Sequence, residues 1–333
     1  MPTIEERIAD AEELWRTGME RLFDEFSDAH MAKMHELGIK YAQDKIYLSP
    51  SKASIIIPYN GIPVLEGPCH RQLFFKHFSV PKTREIPIYI KRKMLGGIAL
   101  EEFEHKIENK GGNLYLVNEP LVYHIDDKTS IIGVVDSVLT DSWGNHYVKE
   151  IKHIYGYTAV RNHIKGTKTI RPYPRITSIL QIMLYILILG LDYGILKFID
   201  ATSLSDDRSY IIELEEVTDL DTVVDYKVIV NGEVNDDITI SRIIERYMRY
   251  SSYIENKQLP PKDCQIEYDD NTLNQLFEAG RISKTAYKDH ISGKKKIGDW
   301  QCNNCEWREL CQQPDSEVVQ QVQPYIVEKI VPW

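Results

Sequence analysis

The chain has 333 residues, of which 43% are hydrophobic, and its formal net charge is −10. This length and composition favour an intracellular enzyme over a secreted or membrane protein, with one large domain or one domain plus a small appendage. The N-terminus lacks the apolar run of a signal peptide. The most apolar stretch, residues 179–191, is shorter than the roughly 20 residues that span a bilayer. The five cysteines are an odd number with metal-like spacing, so we expect a cytoplasmic protein without a membrane partner.

Residues 1–48 are predicted to form a helical N-terminal accessory region. Residues 3–45 have the period of one or two acidic amphipathic helices. Such a region is a candidate for binding a partner protein. The side chains expected on its buried stripe are Leu14, Trp15, Met19, Leu22 and Phe23.

A basic cluster and a helix come next. A helix is predicted over Lys93–Lys110, and it carries several acidic side chains. The basic cluster immediately before it consists of Lys82, Arg84, Lys91, Arg92 and Lys93.

The most informative pattern is a carboxylate strand followed by a Glu-x-Lys strand. Residues 131–140 and 146–153 are β-branched and apolar, and the turn residues 141–145 separate them, which predicts a hairpin. Because strand side chains alternate, Glu150 and Lys152 share one face and can lie opposite Asp136. Carboxylates that hold a divalent ion suit phosphodiester hydrolysis, because the ion polarises the phosphoryl group and activates water.

Mg²⁺ and Mn²⁺ prefer oxygen ligands. Asp136 and Glu150 are therefore predicted as metal ligands, and the carbonyl of Ile151 can add one more. Lys152 is expected to orient or deprotonate the attacking water and to balance phosphate charge. Solvated charges on strand faces are the alternative for either motif taken alone.

A basic stretch between Lys149 and Arg175 offsets the acidic average. Phosphate binding requires a local positive surface, and interleaved tyrosines can stack on unpaired bases. An exposed loop with ordinary solvated charges is the alternative. The residues predicted to contact DNA are Lys165, Lys168, Arg171, Tyr173 and Arg175.

Regular elements are predicted after this stretch as well. The apolar segment 179–191 is predicted as a core helix holding Gln181 and Tyr185 on one face. Strands are expected at 195–201 and 210–215, and a turn at Gly232 and Asp236-Asp237. A helix is predicted over 239–258, with Arg242, Arg246 and Arg249 on its polar side.

The cysteines form the second strong pattern. Three of them are spaced as Cys302-x2-Cys305-x5-Cys311, and Cys69 lies far upstream. The spacing of the triplet suits zinc or an iron–sulphur cluster. Cys264 is the fifth cysteine.

Together these motifs resemble the RecB-type branch of the PD-(D/E)XK nuclease superfamily. In that branch a G-x-x-D strand, an E-x-K strand and a Q-x-x-x-Y helix follow one another, as do Gly133–Asp136, Glu150–Lys152 and Gln181–Tyr185 here. The resemblance implies a catalytic set of Asp136, Glu150, Lys152, Gln181 and Tyr185, in which the Gln and Tyr lie beside the metal and help to hold DNA. The alternative for Tyr185 is an ordinary core residue.

The resemblance also implies the first metal ligand and the nature of the cysteine site. The first ligand comes from a helix upstream of the Asp strand, where Glu101 is favoured and Glu102, His105 and Glu108 are alternatives. Members of this branch with an iron–sulphur cluster, including CRISPR-associated RecB-like exonucleases and the AddB nuclease domain, have one cysteine before the core and three after it. This implies a [4Fe–4S] cluster, with zinc as the alternative, and leaves Cys264 over or as a competing ligand. The ligands implied are Cys69, Cys302, Cys305 and Cys311.

The expected fold is therefore α/β and restriction-endonuclease-like, a central mixed sheet flanked by helices with an iron–sulphur-stapled periphery. Residues 49–261 and 300–313 would form the nuclease core, 262–299 a small helical insertion and 314–333 a C-terminal tail. The expected activity is that of a Mg²⁺- or Mn²⁺-dependent deoxyribonuclease. By resemblance it would be an exonuclease on single-stranded DNA or DNA with free ends, in recombination, repair, replication or CRISPR adaptation.

Because the sequence has no Walker A pattern, a helicase motor would be a separate partner chain. A catalytically silent DNA-binding scaffold and a zinc-stabilised interaction module are the alternative functions.

Overall fold

A computed structural model describes residues 4–42, 45–59, 61–167, 171–219 and 222–328. The strands in chain order are β1 (Ile46–Leu48), β2 (Ile55–Tyr59), β3 (Ile62–Glu66), β4 (Leu114–Val117), β5 (Pro120–His124), β6 (Thr129–Val134), β7 (Ser137–Thr140), β8 (His146–Ile154), β9 (Tyr193–Asp200), β10 (Asp207–Asp219), β11 (Thr222–Val230) and β12 (Glu233–Thr239). The helices are α1 (Ile4–Ala42), α2 (His70–His77), α3 (Ile88–Gly111), α4 (Tyr157–Val160), α5 (Ile176–Leu189), α6 (Ile240–Glu255), α7 (Asp270–Glu278), α8 (Lys284–Ile291), α9 (Trp300–Asn303), α10 (Arg308–Gln312) and α11 (Asp315–Glu328).

The central sheet has the strand order β12-β11-β10-β9-β8-β7-β4. Its pairs are antiparallel except β8 with β9, which are parallel. A mixed sheet with helices confirms the predicted α/β class. The predicted hairpin is also present, because β7 and β8 join through a turn closed by the Asp141 amide on the Asn145 carbonyl at 2.9 Å.

The prediction of one strand over 131–140 is wrong. The segment divides into β6 and β7, which belong to different sheets: β6 pairs with β1 and β5 in a three-stranded sheet, whereas β7 joins the central sheet. Val135 is fully buried at the break. Burial on both sides of the break gives the segment a continuous apolar pattern, which hides the change of sheet from the sequence.

Helix α5 lies at the centre of the molecule. All nine residues from Ser178 to Ile186 are buried, as the apolar run predicted. The helix packs against β8, β9 and β10, and also against β5, α6 and a 3₁₀ turn at Pro50–Lys52. A helix covered on every side needs apolar residues all around its circumference.

The N-terminal region forms the single helix α1, which contacts α3, β1 and β6. Its predicted buried stripe is wrong for Leu14, Trp15 and Leu22, which are exposed, whereas Met19 and Phe23 are half-buried. Two aromatic rings of α1 instead form cation–π contacts with α3. Lys91 lies over Phe23 and Arg92 lies over Trp15, each 5.4 Å from the ring centroid.

A second apolar core is formed by chain segments that precede and follow the central sheet in the sequence. Residues of α2 and α6 pack with α10 and α11, including the buried Val318, Val322 and Ile326. The C-terminal segment expected as a tail thus holds a packed helix. Residues 262–299 contain α7 and α8.

Two further predictions near α6 are wrong. Arg246 is buried rather than on the polar face of the helix, because its guanidinium bonds Ser54 at 2.8 Å and Asp263 at 2.9 Å. Asp236 and Asp237 lie within strand β12 rather than in a turn.

The described helices include none that combines the length and the apolar character needed to cross a membrane.

Candidate metal site and cysteine-lined cavity

Asp136 lies at the break between β6 and β7. Its carbonyl accepts a hydrogen bond from the Asn118 amide at 3.3 Å, and the flanking residues Val135 and Ser137 are fully buried. These contacts hold the backbone in place while Asp136 itself is only half-buried. The backbone that carries the Asp136 side chain is therefore held in place by its surroundings.

Glu150 and Lys152 lie on β8, two residues apart and hence on the same face. Glu150 is fully buried, and the Lys152 ammonium, on a side chain that is 31% exposed, donates a hydrogen bond to Glu150 Oε1. Glu150 Oε2 has no hydrogen-bond partner. A buried carboxylate oxygen without a partner is costly unless something else neutralises it.

The electrostatics of this site are those of carboxylates crowded together. Burial and the neighbouring Asp136 carboxylate raise the pKa of Glu150, although Lys152 opposes the shift. Burial disfavours the charge of Lys152, but the Glu150 and Asp136 carboxylates outweigh it and raise the pKa of Lys152. A cation in this group would favour the ionised carboxylates.

Glu101 on α3 belongs to the same group. Burial, followed by the Asp136 carboxylate, raises its pKa to about 7, and the Lys152 ammonium opposes this. Of the alternatives, Glu102 is exposed, although its charge adds to the raised pKa of Glu101, and Glu108 is buried in an ion pair with Lys149 at 2.6 Å. His105 is half-buried, and its Nε2 lacks a partner.

Ile151, whose carbonyl was predicted as a ligand, lies just beyond the point where strand β8 stops pairing with β7. Pairing of β7 with β8 ends at Ser137 opposite Lys149, whereas pairing with β9 continues through Ile154. Among the strands in the described ranges, residues beyond Lys149 therefore pair with β9 alone. The unpaired edge of β8 begins at the candidate site.

Gln181 and Tyr185 are directed inwards. The Gln181 amide nitrogen donates to the Tyr185 hydroxyl at 3.2 Å, and that hydroxyl donates to the Val134 carbonyl at 2.9 Å. Both side chains are buried, and the hydrogen bonds described for them are internal. Burial and the nearby Glu150 and Asp136 carboxylates raise the pKa of Tyr185.

Gly133, the first residue of the G-x-x-D motif, is required by close packing. A Cβ there would lie 2.5 Å from Pro50 Cδ and 3.6 Å from the Tyr185 ring. The small residue thus lets β6 pass between the Pro50 turn and α5, two elements that position Asp136.

Within the described residues, no three His, Cys, Asp or Glu side chains are preset to hold a single metal ion. Among these carboxylates, Glu150 forms an ion pair with Lys152. The orphan oxygen of Glu150 and the all-oxygen donor set nevertheless fit Mg²⁺ or Mn²⁺.

All five cysteines line one cavity. Cys69 caps the N-terminus of α2 and accepts a hydrogen bond from the Gln72 amide at 3.4 Å. Cys302, Cys305 and Cys311 come from the segment around α9 and α10. Cys264, which the resemblance leaves over, lies in the same cavity and is buried. Burial raises the pKa of Cys305 to about 12 and that of Cys311 to about 11.

Arg71 also lines the cavity and is only 2% exposed. Its guanidinium bonds the Pro260 carbonyl at 2.7 Å and Asp315 at 2.6 Å, but Nη1 has no hydrogen-bond partner. A buried cation with an unused donor, beside several thiols, fits an anionic iron–sulphur cluster.

Sequence reasoning missed Arg71, and it left Cys264 over or as a competing ligand without placing it in the cavity. Arg71 follows Cys69 by two residues, and a basic residue so near a predicted ligand was the available clue. The 38-residue separation of Cys264 from Cys302 gave no such clue.

Several of the predicted DNA-binding residues already have partners within the protein. Lys165 forms an ion pair with Asp206 at 2.7 Å, and Arg171 pairs with Glu233. The Tyr173 hydroxyl accepts a bond from Asn235 at 3.3 Å. Lys168 lies outside the described residues. Arg175 is exposed at the N-terminus of α5. Exposed ion pairs are weak, so these cations remain exchangeable.

Comparison with protein-family models found no match, and comparison with curated proteins found none either. Among solved structures, the chain is similar to the crystal structure of a protein designated SSO0001 at 13% identity, over 80% of this chain and 85% of that one. The TM-score is 0.37, too low to establish a shared fold.

Proposed function

We propose that this protein is a Mg²⁺- or Mn²⁺-dependent deoxyribonuclease with a restriction-endonuclease-like PD-(D/E)XK fold. The observation that carries the proposal is the convergence of Glu101, Asp136, Glu150 and Lys152 from three elements at the free edge of β8. Desolvated carboxylates with raised pKa values, as at Glu101 and Glu150, are unfavourable in a purely structural role. Perturbed carboxylates in such groups are typical of functional sites.

The divalent ion would be held by the carboxylates of Glu101, Asp136 and Glu150, with the Ile151 carbonyl as a further candidate ligand. When bound, such an ion polarises phosphoryl oxygens and lowers the pKa of a coordinated water. The protein's own contribution is a set of carboxylate oxygens, which a bound cation would keep ionised, in a site shielded from bulk water on the Glu150 side.

Lys152 supplies a positive charge that does not depend on the metal. Its raised pKa keeps Nζ protonated at neutral pH, so it acts as a hydrogen-bond donor. From this position it can orient the attacking water and stabilise negative charge on the phosphate. Its bond to Glu150 also holds the ammonium in place before substrate arrives.

Tyr185 and Gln181 act as positioning residues. The Tyr185 hydroxyl anchors the Val134 carbonyl, two residues before Asp136. Gln181 fixes the hydroxyl in turn. This chain of bonds connects the buried helix α5 to the break that carries Asp136.

We further propose a [4Fe–4S] cluster held by Cys69, Cys302, Cys305 and Cys311. It is supported by the shared cavity and by the unused Arg71 donor. The cluster would connect α2 to the segment after α8, and its role would be structural.

The proposed substrate is single-stranded DNA or DNA with free ends. An exonuclease with these requirements follows from the RecB-type resemblance and from the tyrosine-bearing basic surface, since exposed rings stack on unpaired bases. A separate helicase or recombination protein would supply such DNA.

The test is cleavage of end-labelled single- and double-stranded DNA by protein purified without oxygen. We expect cleavage with Mn²⁺ or Mg²⁺ and none with a chelator. Metal-independent cleavage, or none on either substrate with both ions, would contradict the proposal. A Glu102→Ala variant provides the matched control, because Glu102 is an exposed neighbour of Glu101.

A further inference from the structure

A block of lysines follows helix α7, within the segment predicted as a small helical insertion. Residues 284–296 contain five lysines and one aspartate, so with histidine neutral their formal charge is +4, in a chain whose net charge is −10. All five lysines are exposed. Concentrated basic residues of this kind are typical of surfaces that contact polyanions. This lysine surface consists of Lys284, Lys288, Lys294, Lys295 and Lys296.

Most of the positive charge on the lysine surface is not neutralised by the protein. Lys294 pairs with Asp289 at 3.5 Å, and Lys296 pairs with Glu267 at 2.6 Å. Within the described ranges of the chain, no ion pair involves the other three members. Ion pairs at a protein surface are weak, so the two paired lysines can also exchange a carboxylate for a phosphate.

Helix α8 carries the first two members of the lysine surface. Lys284 and Lys288 are four residues apart, which places them on one side of the helix. The helix is held on α7, because the Tyr287 ring stacks on Phe277 with centroids 4.4 Å apart and its hydroxyl donates to Asn274 at 2.6 Å. The two ammonium groups therefore project from an element with a fixed position.

Backbone contacts order the loop that carries the other three lysines. The Lys295 amide donates to the Asp289 carbonyl at 3.0 Å, and the Ile297 amide donates to Nδ1 of the buried His290 at 3.0 Å. The Tyr268 amide donates to the Ile297 carbonyl at 2.8 Å. These bonds hold together, in one loop, cations whose charges repel one another.

The insertion is in turn attached to the β2–β3 hairpin. Arg281 pairs with Glu66 at 2.5 Å and lies 4.2 Å from the centroid of the Tyr59 ring. Leu273 and Leu276 of α7 are buried, and α7 contacts β3. The lysine surface is thus part of the folded protein rather than a flexible basic tail.

The composition of the lysine surface favours the backbone of duplex DNA over unpaired bases. Tyr287 is the single Phe, Tyr or Trp of residues 284–296, and its ring is stacked inside the insertion. Single-strand binding uses exposed rings on which bases stack. Contacts to a duplex backbone require cations and no such rings.

We propose that the lysine surface binds the phosphates of duplex DNA, separately from the candidate metal site. This inference rests on the proposed function, which identifies the polyanion as DNA. It adds that the substrate carries a duplex segment in addition to the end at which it is cut.

The test is duplex binding by a double variant, Lys284→Gln with Lys288→Gln. Binding of a labelled blunt duplex is measured by fluorescence anisotropy across a series of salt concentrations in a chelator, which prevents metal-dependent cleavage. Each lost phosphate contact removes about 0.9 from the slope of log affinity against log salt. We therefore expect weaker binding and a slope smaller by up to about two. Glutamine keeps the helix propensity of lysine, and circular dichroism checks the fold.

The matched control is Lys106→Gln with Lys110→Gln, because these two lysines are also exposed and four residues apart on a helix. The control should keep the wild-type slope. If the α8 variant does not fold, Lys294→Gln with Lys295→Gln in the loop replaces it and should show the same loss.

An unchanged slope in the folded lysine-surface variant would overturn the inference, and so would an equal loss in the control. Loss of binding to vesicles of phosphatidylserine, with duplex binding unchanged, would make the surface a lipid contact and overturn it as well. A wild type that binds the duplex through these lysines but never cleaves DNA with Mn²⁺ or Mg²⁺ would support the inference and contradict the proposed nuclease.

Discussion

Glu150 shows how the candidate site departs from what stability alone would favour. It is fully buried, one of its oxygens lacks a partner, and its neighbours include another carboxylate. A polar residue in this state lowers the stability of the metal-free protein. This is the arrangement expected of the metal ligands proposed above, with the Lys152 ammonium partly compensating the charge of Glu150.

The pH dependence of stability should reveal this crowding. The pKa of Glu101 is raised from 4.5 to about 7, so its stabilising contribution is full below about pH 4.5 and is lost as the pH rises through about 7. We expect the melting temperature of metal-free wild type to fall from pH 5.5 to 8, and that of Glu101→Gln to fall less. Thermal melts followed by circular dichroism in a chelator measure this. Parallel curves for the two proteins would contradict it.

Lys152 is expected to matter for chemistry more than for metal binding. Replacing it with Gln removes the donor that stabilises phosphate charge, so cleavage should fall by about 100-fold or more. Mn²⁺ should still bind, since the carboxylates remain. The measurement is the initial cleavage rate on labelled single-stranded DNA. The control is Lys106→Gln, because Lys106 is exposed on α3. Equal rates in the two variants would remove Lys152 from the site.

At the residue scale, local patterns predicted much of the site. The alternation along β8 placed Glu150 and Lys152 on one face, and the four-residue spacing in α5 placed Gln181 beside Tyr185. The positions of Arg71 and Cys264 were not predictable, because they depend on how residues nearly 200 positions apart meet. Only the tertiary contacts through Asp263 and Pro260 bring them together.

Among the elements, the break between β6 and β7 is the most consequential. It lets one chain segment leave a three-stranded sheet and join the central one, and it presents Asp136 where the pairing changes. The sequence predicted a single strand because burial continues through Val135. The hairpin turn after β7 was predictable, since its residue types favour a turn whatever the surrounding sheet.

A substitution at Gly133 tests the packing that supports the break between β6 and β7. Gly133→Ala would place a Cβ 2.5 Å from Pro50 Cδ, and overpacking of this kind costs about 1–3 kcal/mol. We expect lower stability and slower cleavage, because β6 must move and Asp136 moves with it. Chemical denaturation and cleavage rates measure the two effects.

The control for Gly133→Ala is Gly18→Ala in α1, where nothing lies within 4 Å of the added methyl group. Alanine favours a helix over glycine by about 1 kcal/mol, so this variant should be as stable as wild type or more so. A Gly133→Ala variant with unchanged stability and activity would contradict the described packing.

At the scale of the whole molecule, the chain segment before the central sheet packs against the segment that follows it. The apolar core of α2, α6, α10 and α11 and the cysteine-lined cavity both connect the segment before the central sheet with the segment after it. The order of strands in the sheet was not predictable from the sequence, since no local pattern encodes which strands become neighbours. The pairing of Cys69 with the distant triplet was inferred from resemblance alone.

Cys69→Ser tests whether a metal cluster contributes to this closure. Cys69 and Cys302 are more than 230 residues apart, and a metal clip over such a loop strongly limits the unfolded chain. We expect loss of iron and a lower melting temperature, whereas Cys264→Ser should retain iron. Iron analysis and thermal melts of both variants decide this. An iron-loaded Cys69→Ser variant would show that the ligand set has been misassigned.

The most direct test of the central claim combines metal binding and cleavage in Asp136→Ala and Glu150→Ala. Each variant removes one proposed ligand and also relieves carboxylate crowding, so the metal-free protein should stay folded. The measurement is cleavage of end-labelled single-stranded DNA across a Mn²⁺ titration, with Glu102→Ala as control. We predict metal-dependent cleavage by wild type and the control, and none by either folded ligand variant at any Mn²⁺ concentration. Cleavage near the wild-type rate by Asp136→Ala or Glu150→Ala would contradict the assignment of this site.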